Sequence, residues 1–317
     1  MSRSVSVVVP VYNGSRSIDE LVDRLVVVLG RDGTCDLLEV ILVDDASNDD
    51  SWRVIQGLAE RCPAVRGIAL ARNAGQHAAL LAGIAATGGD VVVTMDDDLQ
   101  HRPEDVPALV RALGSDVDLV YGRSVVEEHG VFRNVSSRVA KGAIAAAAGS
   151  EIARLSSGFR CFPGHYRAAL TVPRGPYISL DVLLSWVSRR VVAVPVTMEP
   201  RRYGTSNYSV SRLARHALNM LFGFSTAPLR VISVTGFVVA LLGLGLLLFV
   251  LVRWAIGDSG VPGFAFLASM VALFSGFQIL TLGILGEYFA RMYATSLRRP
   301  AYVIRSATDP DSPSAGT

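Results

Sequence analysis

An acidic cluster follows a run of valines in the segment VVVTMDDDLQH, residues 91–101. Three adjacent carboxylates behind a strand that reads as buried repel each other unless a cation holds them together. Asp96 and Asp98 have the spacing of two carboxylates that share a hard divalent cation, and Gln100 offers a neutral oxygen nearby. Mg²⁺ or Mn²⁺ held in this way keeps open positions for the diphosphate of a nucleotide.

Asp97 is expected to point away from its two neighbours, because side chains alternate along an extended chain. It therefore has a secondary part in the predicted nucleotide site. The alternative reading of the whole cluster is structural: the acids only end a strand and cap a helix.

The elements before and after this cluster indicate an α/β domain. The first 200 residues alternate short apolar runs with amphipathic stretches, which is typical of a largely parallel sheet. The predicted strands are 5–10, 39–43, 65–70, 90–95 and 118–122. The predicted helices are 17–29, about 50–61, 76–86 and 104–113.

Polar residues follow four of these strands. Ligands of an open parallel sheet bind at the carboxyl ends of the strands, so one rim is expected to collect them. The residues concerned lie at the strand ends: Pro10, Tyr12 and Asn13 at the first, Asp44 and Asp45 at the second, Arg72 and Asn73 at the third, and Asp96, Asp97 and Asp98 at the fourth.

Two long uncharged segments predict a membrane hairpin. Residues 231–252 and 263–286 are 22 and 24 residues long, enough to cross a hydrocarbon core as helices. Five arginines and no acid lie in residues 201–230, so both termini are expected in the cytosol and only a short loop outside. Buried core helices are the alternative.

The predicted organisation has four parts. Residues 1–208 form a cytosolic catalytic domain, 209–230 an amphipathic helix in the headgroup layer, 231–286 the transmembrane hairpin, and 287–317 a cytosolic segment with a disordered tail. An ordinary surface helix is the alternative for residues 209–230. Three cysteines without paired spacing fit a reducing compartment, and no nucleic-acid partner is expected.

Other nucleotide-binding motifs are absent from the sequence. A P-loop needs GxxxxGK, and the one lysine, Lys141, lies in another context. A dinucleotide fingerprint needs GxGxxG between a strand and a helix, and the glycine-rich run at 243–247 lies in an uncharged segment instead. Because these two motifs are absent, a metal-bound nucleotide diphosphate beside a membrane favours sugar transfer as the reaction.

Four motifs carry a resemblance to a known family. VVVPVYNG, VDDASNDDS, RNAGQHAALLAG and MDDDLQHRPE resemble, in order and spacing, the signature of glycosyltransferase family 2. PRRYGTSNYS, the two uncharged segments and LGEYFARMY with RRPAYVI resemble its polyprenyl-phosphate glycosyltransferase branch. The resemblance covers residues 4–305 and implies a GT-A fold, that of the nucleotide-diphospho-sugar transferases.

The resemblance also implies roles for individual residues. By this resemblance, the nucleoside is bound by Pro10, Tyr12, Asp44 and Asp45. The metal and the diphosphate are bound by Asp96, Asp98 and Gln100. The acceptor phosphate is bound by Arg123 and Arg133, and the donor phosphates are bound by Arg201 and Ser206. Arginine suits these roles because its planar fork binds phosphate oxygens bidentately.

Three positions depart from the family pattern. Gly14 stands where the family usually has Glu, Asn207 replaces a usual Lys, and Gly158 stands where many relatives carry an acid proposed as the base. Asp181 remains a candidate orienting acid, with an exposed helix residue as the alternative. A lipid phosphate with a second pKa near 6 is already ionised at cytosolic pH and needs no base.

These observations predict an inverting transfer of a sugar from a nucleotide-sugar, with UDP favoured, to polyprenyl phosphate. The predicted location is the bacterial inner membrane, with a homo-oligomer implied by the resemblance. Three alternatives stay open: another lipid acceptor such as diacylglycerol, a processive polysaccharide synthase, and a non-catalytic scaffold that binds nucleotide-sugars. The synthase would carry a QxxRW motif and more spans, which the sequence lacks.

Overall fold

A computed structural model describes residues 3–31, 33, 35–124, 152, 155–172, 179–200, 227–256, 263–297 and 299–308. Arg133, Arg201, Ser206 and Asn207 lie outside these residues, as does most of the predicted interfacial helix.

The described strands form one eight-stranded sheet in the order β7-β5-β6-β4-β1-β2-β3-β8. Strands β4, β1, β2 and β3 are mutually parallel, which confirms the expected sheet type. Strand β6 is antiparallel to both neighbours, and β8 is antiparallel to β3. The bounds are β1 Arg3–Val11, β2 Cys35–Asp44, β3 Val65–Leu70, β4 Val91–Thr94, β5 Leu119–Ser124, β6 Arg160–Pro163, β7 Val191–Val196 and β8 Ile304–Ala307.

Helices cover both faces of the sheet. The alternation of β1 shows why: Val7 and Val9 belong to one buried cluster with α1 and α2, whereas Val8 belongs to a second cluster with α3. A strand buried on both faces reads as a continuous apolar run, as β1 does. The bounds are α1 Ile18–Leu29, α2 Ser51–Arg61, α3 Gln76–Ala86, α4 Val106–Ala112, α5 Arg167–Leu170, α6 Leu180–Val187, α7 Ala227–Ala255 and α8 Phe264–Ser296.

Three strands of the structure are missing from the prediction made on the sequence. Strands β6 and β8 have four residues each and lack a sustained apolar pattern. Strand β7 contains Pro195, which a central strand would exclude because proline cannot donate a ladder hydrogen bond. Strand β7 lies at one edge of the sheet, where a proline is tolerated.

The last two helices are long, with 29 residues in α7 and 33 in α8. Many of their described apolar side chains are exposed, among them Leu242 and Ile279. Within the described residues, no helix combines the length and hydropathy needed to span a membrane.

Strand β8 returns the chain to the sheet after α8. The Ala71 N–H donates to the Val303 carbonyl at 2.8 Å, and the Thr308 N–H donates to the Gly67 carbonyl at 3.0 Å. The Gly67 N–H in turn donates to the Thr308 hydroxyl at 2.8 Å. Tyr302 and Ile304 add apolar contacts to the cluster around α3. A segment far away in sequence thus closes the edge beside β3.

Deleting residues 301–317 should therefore destabilise the α/β domain. The edge of β3 would lose its backbone partners, and the α3 cluster would lose two apolar contacts, so Tm in detergent should fall by about 5 °C or more. A deletion of residues 309–317 keeps every described contact of β8 and is the control. Equal Tm values for the two deletions would contradict this role of β8.

Candidate active site

Four loops meet at the carboxyl edge of the parallel strands. Tyr12 and Asn13 follow β1, Asp45 follows β2, Arg72 follows β3, and Asp96 begins the loop after β4. Strand β1 is flanked by β2 on one side and β4 on the other, so the connections change direction between β1 and β4. Ligands of open α/β sheets bind at such a switch point. The convergence predicted from the sequence is confirmed by these strand ends.

Backbone strain is concentrated on this rim. Among the described residues, three that are not glycine have a positive φ: Asn13 at 57°, Ala46 at 55° and Leu99 at 58°. They lie in the loops after β1, β2 and β4. Such conformations cost free energy and persist where the surrounding structure imposes them, often at functional sites.

The loop after β1 is held by the loop after β2. The Asn13 N–H donates to the Ser47 hydroxyl at 2.9 Å, and the Asn48 N–H donates to the Asn13 side-chain oxygen at 2.9 Å. The Gly14 N–H donates to the Ser51 hydroxyl at 3.0 Å. These bonds leave Tyr12 on the surface of the rim, where the residue is 44 % exposed.

Two buried aspartates lie at the carboxyl end of β2, and each accepts hydrogen bonds from backbone N–H groups. Asp44 accepts from the Ser47 N–H at 3.1 Å. Asp45 accepts from the Ala74 and Gly75 N–H groups at 2.6 and 2.9 Å and so fixes the loop between β3 and α3. Burial raises the pKa of Asp45, and these two hydrogen bonds oppose that shift. The predicted nucleoside residues are therefore also the residues that shape the rim.

The three aspartates after β4 have different surroundings. Asp96 accepts from the Gln76 side-chain amide at 2.6 Å, and Asp98 accepts from the Gln100 N–H at 3.1 Å. The carboxylate end of Asp97 is buried, and its Oδ2 atom has no hydrogen-bond partner among the described residues. Burial, followed by the charges of Asp96 and Asp98, raises the pKa of Asp97 to about 7.

Two glycines leave room for this cluster. A Cβ atom at Gly14 would lie 2.2 Å from the Asp97 Oδ2 atom, and a Cβ atom at Gly158 would lie 2.8 Å from the Asp96 Oδ2 atom. Real Cβ contacts are never this short, so a side chain at either position would displace a carboxylate. The two departures from the family pattern therefore match the space that this acidic cluster occupies.

The residues of the cluster fit a divalent cation completed by a ligand. Two carboxylates and an amide oxygen are the donors that Mg²⁺ or Mn²⁺ prefers, with substrate phosphates supplying further oxygens. The charges of Asp96 and Asp98 add to burial in raising the pKa of Asp97, and a bound cation would oppose that repulsion. The described part of the chain contains no group of three His, Cys, Asp or Glu side chains that could hold a metal by itself.

The predicted phosphate-binding arginines are only partly described. Arg72 and Arg123 are exposed and lie after β3 and near the end of β5, on the same rim. Strand β7 ends on this rim as well, and the Glu199 N–H donates to the Gln100 carbonyl at 2.9 Å. The chain continues from Pro200 into the segment that carries Arg201 and Ser206.

Asp181 lies in a different environment from the one its sequence suggests. It is buried near the amino end of α6, where Arg160 binds it through two nitrogens at 2.8 and 3.0 Å. The exposed-residue alternative is therefore wrong. Reasoning from the sequence missed Arg160 and Gln76, although both stand inside conspicuous motifs, GFRCF and RNAGQH.

Solved structures show the class of fold. Glucosyl-3-phosphoglycerate synthase from Mycobacterium tuberculosis, in complex with Mn²⁺, UDP and phosphoglyceric acid, superposes with a TM-score of 0.52 at 23 % identity, over 69 % of this chain and 76 % of that one. A complex of the same enzyme with Mn²⁺, UDP-glucose and phosphoglyceric acid gives 0.51 at 25 % identity, over 69 % and 78 %. The chain thus has the GT-A-like fold of nucleotide-sugar transferases.

Sequence comparison identifies the family. Residues 6–163 match the Glycosyl transferase family 2 profile. Undecaprenyl-phosphate 4-deoxy-4-formamido-L-arabinose transferase of Klebsiella pneumoniae subsp. pneumoniae is 34 % identical over 310 residues, 96 % of this chain and 93 % of its own. The Pseudomonas aeruginosa enzyme of the same name is 35 % identical over 306 residues, 95 % and 89 %. The chain belongs to glycosyltransferase family 2, in its polyprenyl-phosphate branch.

The contact between Gly14 and Asp97 predicts coupled mutations. Gly14→Ala should raise the KM for the donor about tenfold, because the added methyl group displaces the Asp97 carboxylate and the loop that carries Tyr12. Gly33→Ala, where a Cβ meets nothing within 4 Å, is the control. In the double variant Gly14→Ala/Asp97→Ala, the first substitution should add little to the second. Additive effects on log KM would contradict the coupling.

The raised pKa of Asp97 predicts a pH-dependent stability without metal. The folded-state pKa of about 7 exceeds the ordinary 3.8, so the folded protein binds more protons between these values. The contribution of Asp97 to the free energy of unfolding should therefore fall as pH rises from 4 to 7, by up to about 4 kcal/mol for a shift of this size. With EDTA present, the Tm of the wild type relative to that of Asp97→Asn should fall over this pH range. Identical profiles would refute the assignment.

Proposed function

We propose that this protein transfers a sugar from a nucleotide-sugar, with UDP favoured, to polyprenyl phosphate. The product is a polyprenyl monophosphate linked to the sugar. The observation that carries the proposal is the position of Asp96 and Asp98 on a nucleotide-binding rim, in a chain related over 96 % of its length to undecaprenyl-phosphate sugar transferases. The glycosyltransferase fold alone would leave the acceptor open.

The donor is proposed to bind at the loops after β1 and β4, where the strand connections change direction. Tyr12, Asn13 and the backbone shaped by Asp44 and Asp45 form the side for the nucleoside. Asp96, Asp98 and Gln100 would hold Mg²⁺ or Mn²⁺, which when bound neutralises the departing diphosphate. Arg201 and Ser206 are proposed to close over the same phosphates, since the chain that leads to them passes beside Gln100.

The acceptor supplies its own nucleophile. A phosphate oxygen of the lipid attacks the anomeric carbon, and the bond from that carbon to the donor diphosphate breaks with inversion. The lipid phosphate has lost its second proton at cytosolic pH, so no general base is required. Arg123 and Arg133 are proposed to place it. The burial of Asp181 against Arg160 supports a mechanism in which Asp181 does not take a proton.

The two long helices are proposed to form a membrane hairpin. Their support is the charge-free sequence of residues 231–252 and 263–286 and the exposure of apolar side chains along α7 and α8. The chain leaves the sheet from the carboxyl end of β7 and returns beside the carboxyl end of β3, where Leu70 pairs with Ile304. The chain therefore leaves the sheet and returns to it at the edge that carries the rim.

This topology supports an active site that faces the bilayer. We place the catalytic domain and both termini in the cytosol of a bacterial cell, with residues 209–230 at the surface of the inner membrane. The acceptor headgroup would then lie where the rim opens. A homo-oligomer remains a prediction from the family.

A donor screen on the full chain in detergent tests the proposal. Undecaprenyl phosphate and Mn²⁺ are mixed with a panel of UDP- and GDP-sugars that includes UDP-4-deoxy-4-formamido-L-arabinose, and lipid products are read by mass spectrometry. One donor should give a lipid-phosphate-sugar product. Asp98→Ala should lower its rate by about 100-fold or more. Asp116→Ala, at an exposed acid that pairs with Arg190, is the matched control.

Each other outcome identifies an alternative. Sugar transfer to diacylglycerol but not to undecaprenyl phosphate would contradict the proposed acceptor. Nucleotide binding without product on any acceptor would point to the scaffold. Equal activity of Asp98→Ala and wild type would contradict the assigned metal site.

A further inference from the structure

A buried network lies directly behind the acidic cluster and takes no direct part in the proposed reaction. Its members are Arg160, Asp181, Tyr121 and Thr94, and all four are at most 5 % exposed. Strand β6 begins at Arg160, between β4 and β5, and the sheet register sets Arg160 opposite both Thr94 and Tyr121. Thr94 precedes Asp96 by two residues, so the network adjoins a proposed metal ligand.

Asp181 is the centre of this network. Its Oδ1 atom accepts from Arg160 Nε at 2.8 Å and from the Tyr121 hydroxyl at 2.8 Å, and its Oδ2 atom accepts from Arg160 Nη2 at 3.0 Å. Burial alone would raise the pKa of Asp181, but the Arg160 guanidinium lowers it below its ordinary value. Asp181 is therefore ionised at neutral pH and forms a buried ion pair.

Arg160 also reaches toward the metal site. Its Nη1 atom lies 3.4 Å from the Gly158 carbonyl and 3.4 Å from the Thr94 hydroxyl, which itself donates to Gly158 at 3.1 Å. Gly158 is the residue whose missing side chain leaves room for the Asp96 carboxylate. The guanidinium charge is close enough to interact with Asp96. Arg160 and Asp96 are thus separated by little more than the Gly158 backbone.

In this arrangement, Arg160 could form an ion pair with either of two carboxylates, Asp181 or Asp96. A buried guanidinium without a counter-ion is strongly unfavourable, so it binds whichever carboxylate it can reach. If it bound Asp96, that carboxylate would be lost to a divalent cation. We propose that Asp181 is a positioning residue of the metal site: it holds and neutralises Arg160, so that Asp96 stays available for the cation.

The inference rests on the proposed function for its metal, but its test does not need turnover. Binding of Mn²⁺ in the presence of UDP is measured from the electron paramagnetic resonance signal of free Mn²⁺, with the full chain in detergent and no acceptor. Tm is measured on the same samples. A failed donor screen would refute the proposed acceptor, whereas this measurement addresses the cation site alone.

The first variant is Asp181→Asn, which keeps the shape and removes the charge. It should raise the Mn²⁺ dissociation constant about tenfold or more, the range found for groups that orient metal ligands. Glu39→Gln is the matched control. Glu39 is also a buried carboxylate, paired with Arg66 at 2.6 Å, but it lies in the first half of β2, away from the carboxyl ends of the strands. Glu39→Gln should lower Tm and should change the Mn²⁺ dissociation constant by less than about twofold.

The double variant Arg160→Met/Asp181→Leu separates charge from packing. Replacing both members of a buried ion pair with apolar residues restores stability in other proteins. The double variant should recover Tm relative to Asp181→Asn and should bind Mn²⁺ within about threefold of wild type, because no cation remains to compete for Asp96.

Two results would overturn the proposal. One is a Mn²⁺ dissociation constant that Asp181→Asn changes no more than Glu39→Gln does, which would make Asp181 a structural residue only. The other is a double variant that recovers its Tm but still binds Mn²⁺ as weakly as Asp181→Asn, because then the guanidinium would not be the cause.

Discussion

The mutual repulsion of three carboxylates at the end of β4 constrains this structure more than any other interaction. The protein holds them in place by three different means. Gln76 donates to Asp96, the backbone of Gln100 donates to Asp98, and Asp97 is buried to the point that its pKa approaches neutrality. A bound divalent cation would offset this repulsion.

Two positions next to the cluster are glycines, and the absence of side chains there leaves space for the carboxylates. Gly14 and Gly158 leave space on two sides, and Leu99 takes a left-handed conformation within the loop. Leu99 is fully buried, so packing can impose a backbone that a leucine would otherwise avoid. The packing of the core on both faces of the sheet thus offsets the backbone strain at the rim. Substrate binding benefits, since the loops are fixed before the donor arrives.

The sequence predicts the parts of this design that are local. Strands β1 to β4 each contain a short apolar run, and polar residues lie at or just after their carboxyl ends, so the rim could be predicted from the sequence. Strands β6 and β8 could not, since each depends on a neighbour far away in sequence. The pair of Arg160 and Asp181 is hidden for the same reason: in LDVLL the acid resembles an exposed helical position, and only the tertiary partner explains its burial.

The two edges of the sheet connect chemistry to the proposed membrane anchor. Strand β7 forms one edge and β8 the other, and the chain between them contains both long helices. A domain tied by one linker can rotate about it, whereas a domain tied at both edges of its sheet has a restricted orientation. Only seven residues, 297–303, join α8 to β8, and an extended chain of that length spans at most about 25 Å. If α8 leaves the bilayer near residue 286, where the predicted span ends, its last ten residues add about 15 Å, so the rim beside β3 is held within about 40 Å of the lipid headgroups. A phosphate on a membrane lipid cannot diffuse to a distant site, so this restraint is what the proposed acceptor would require.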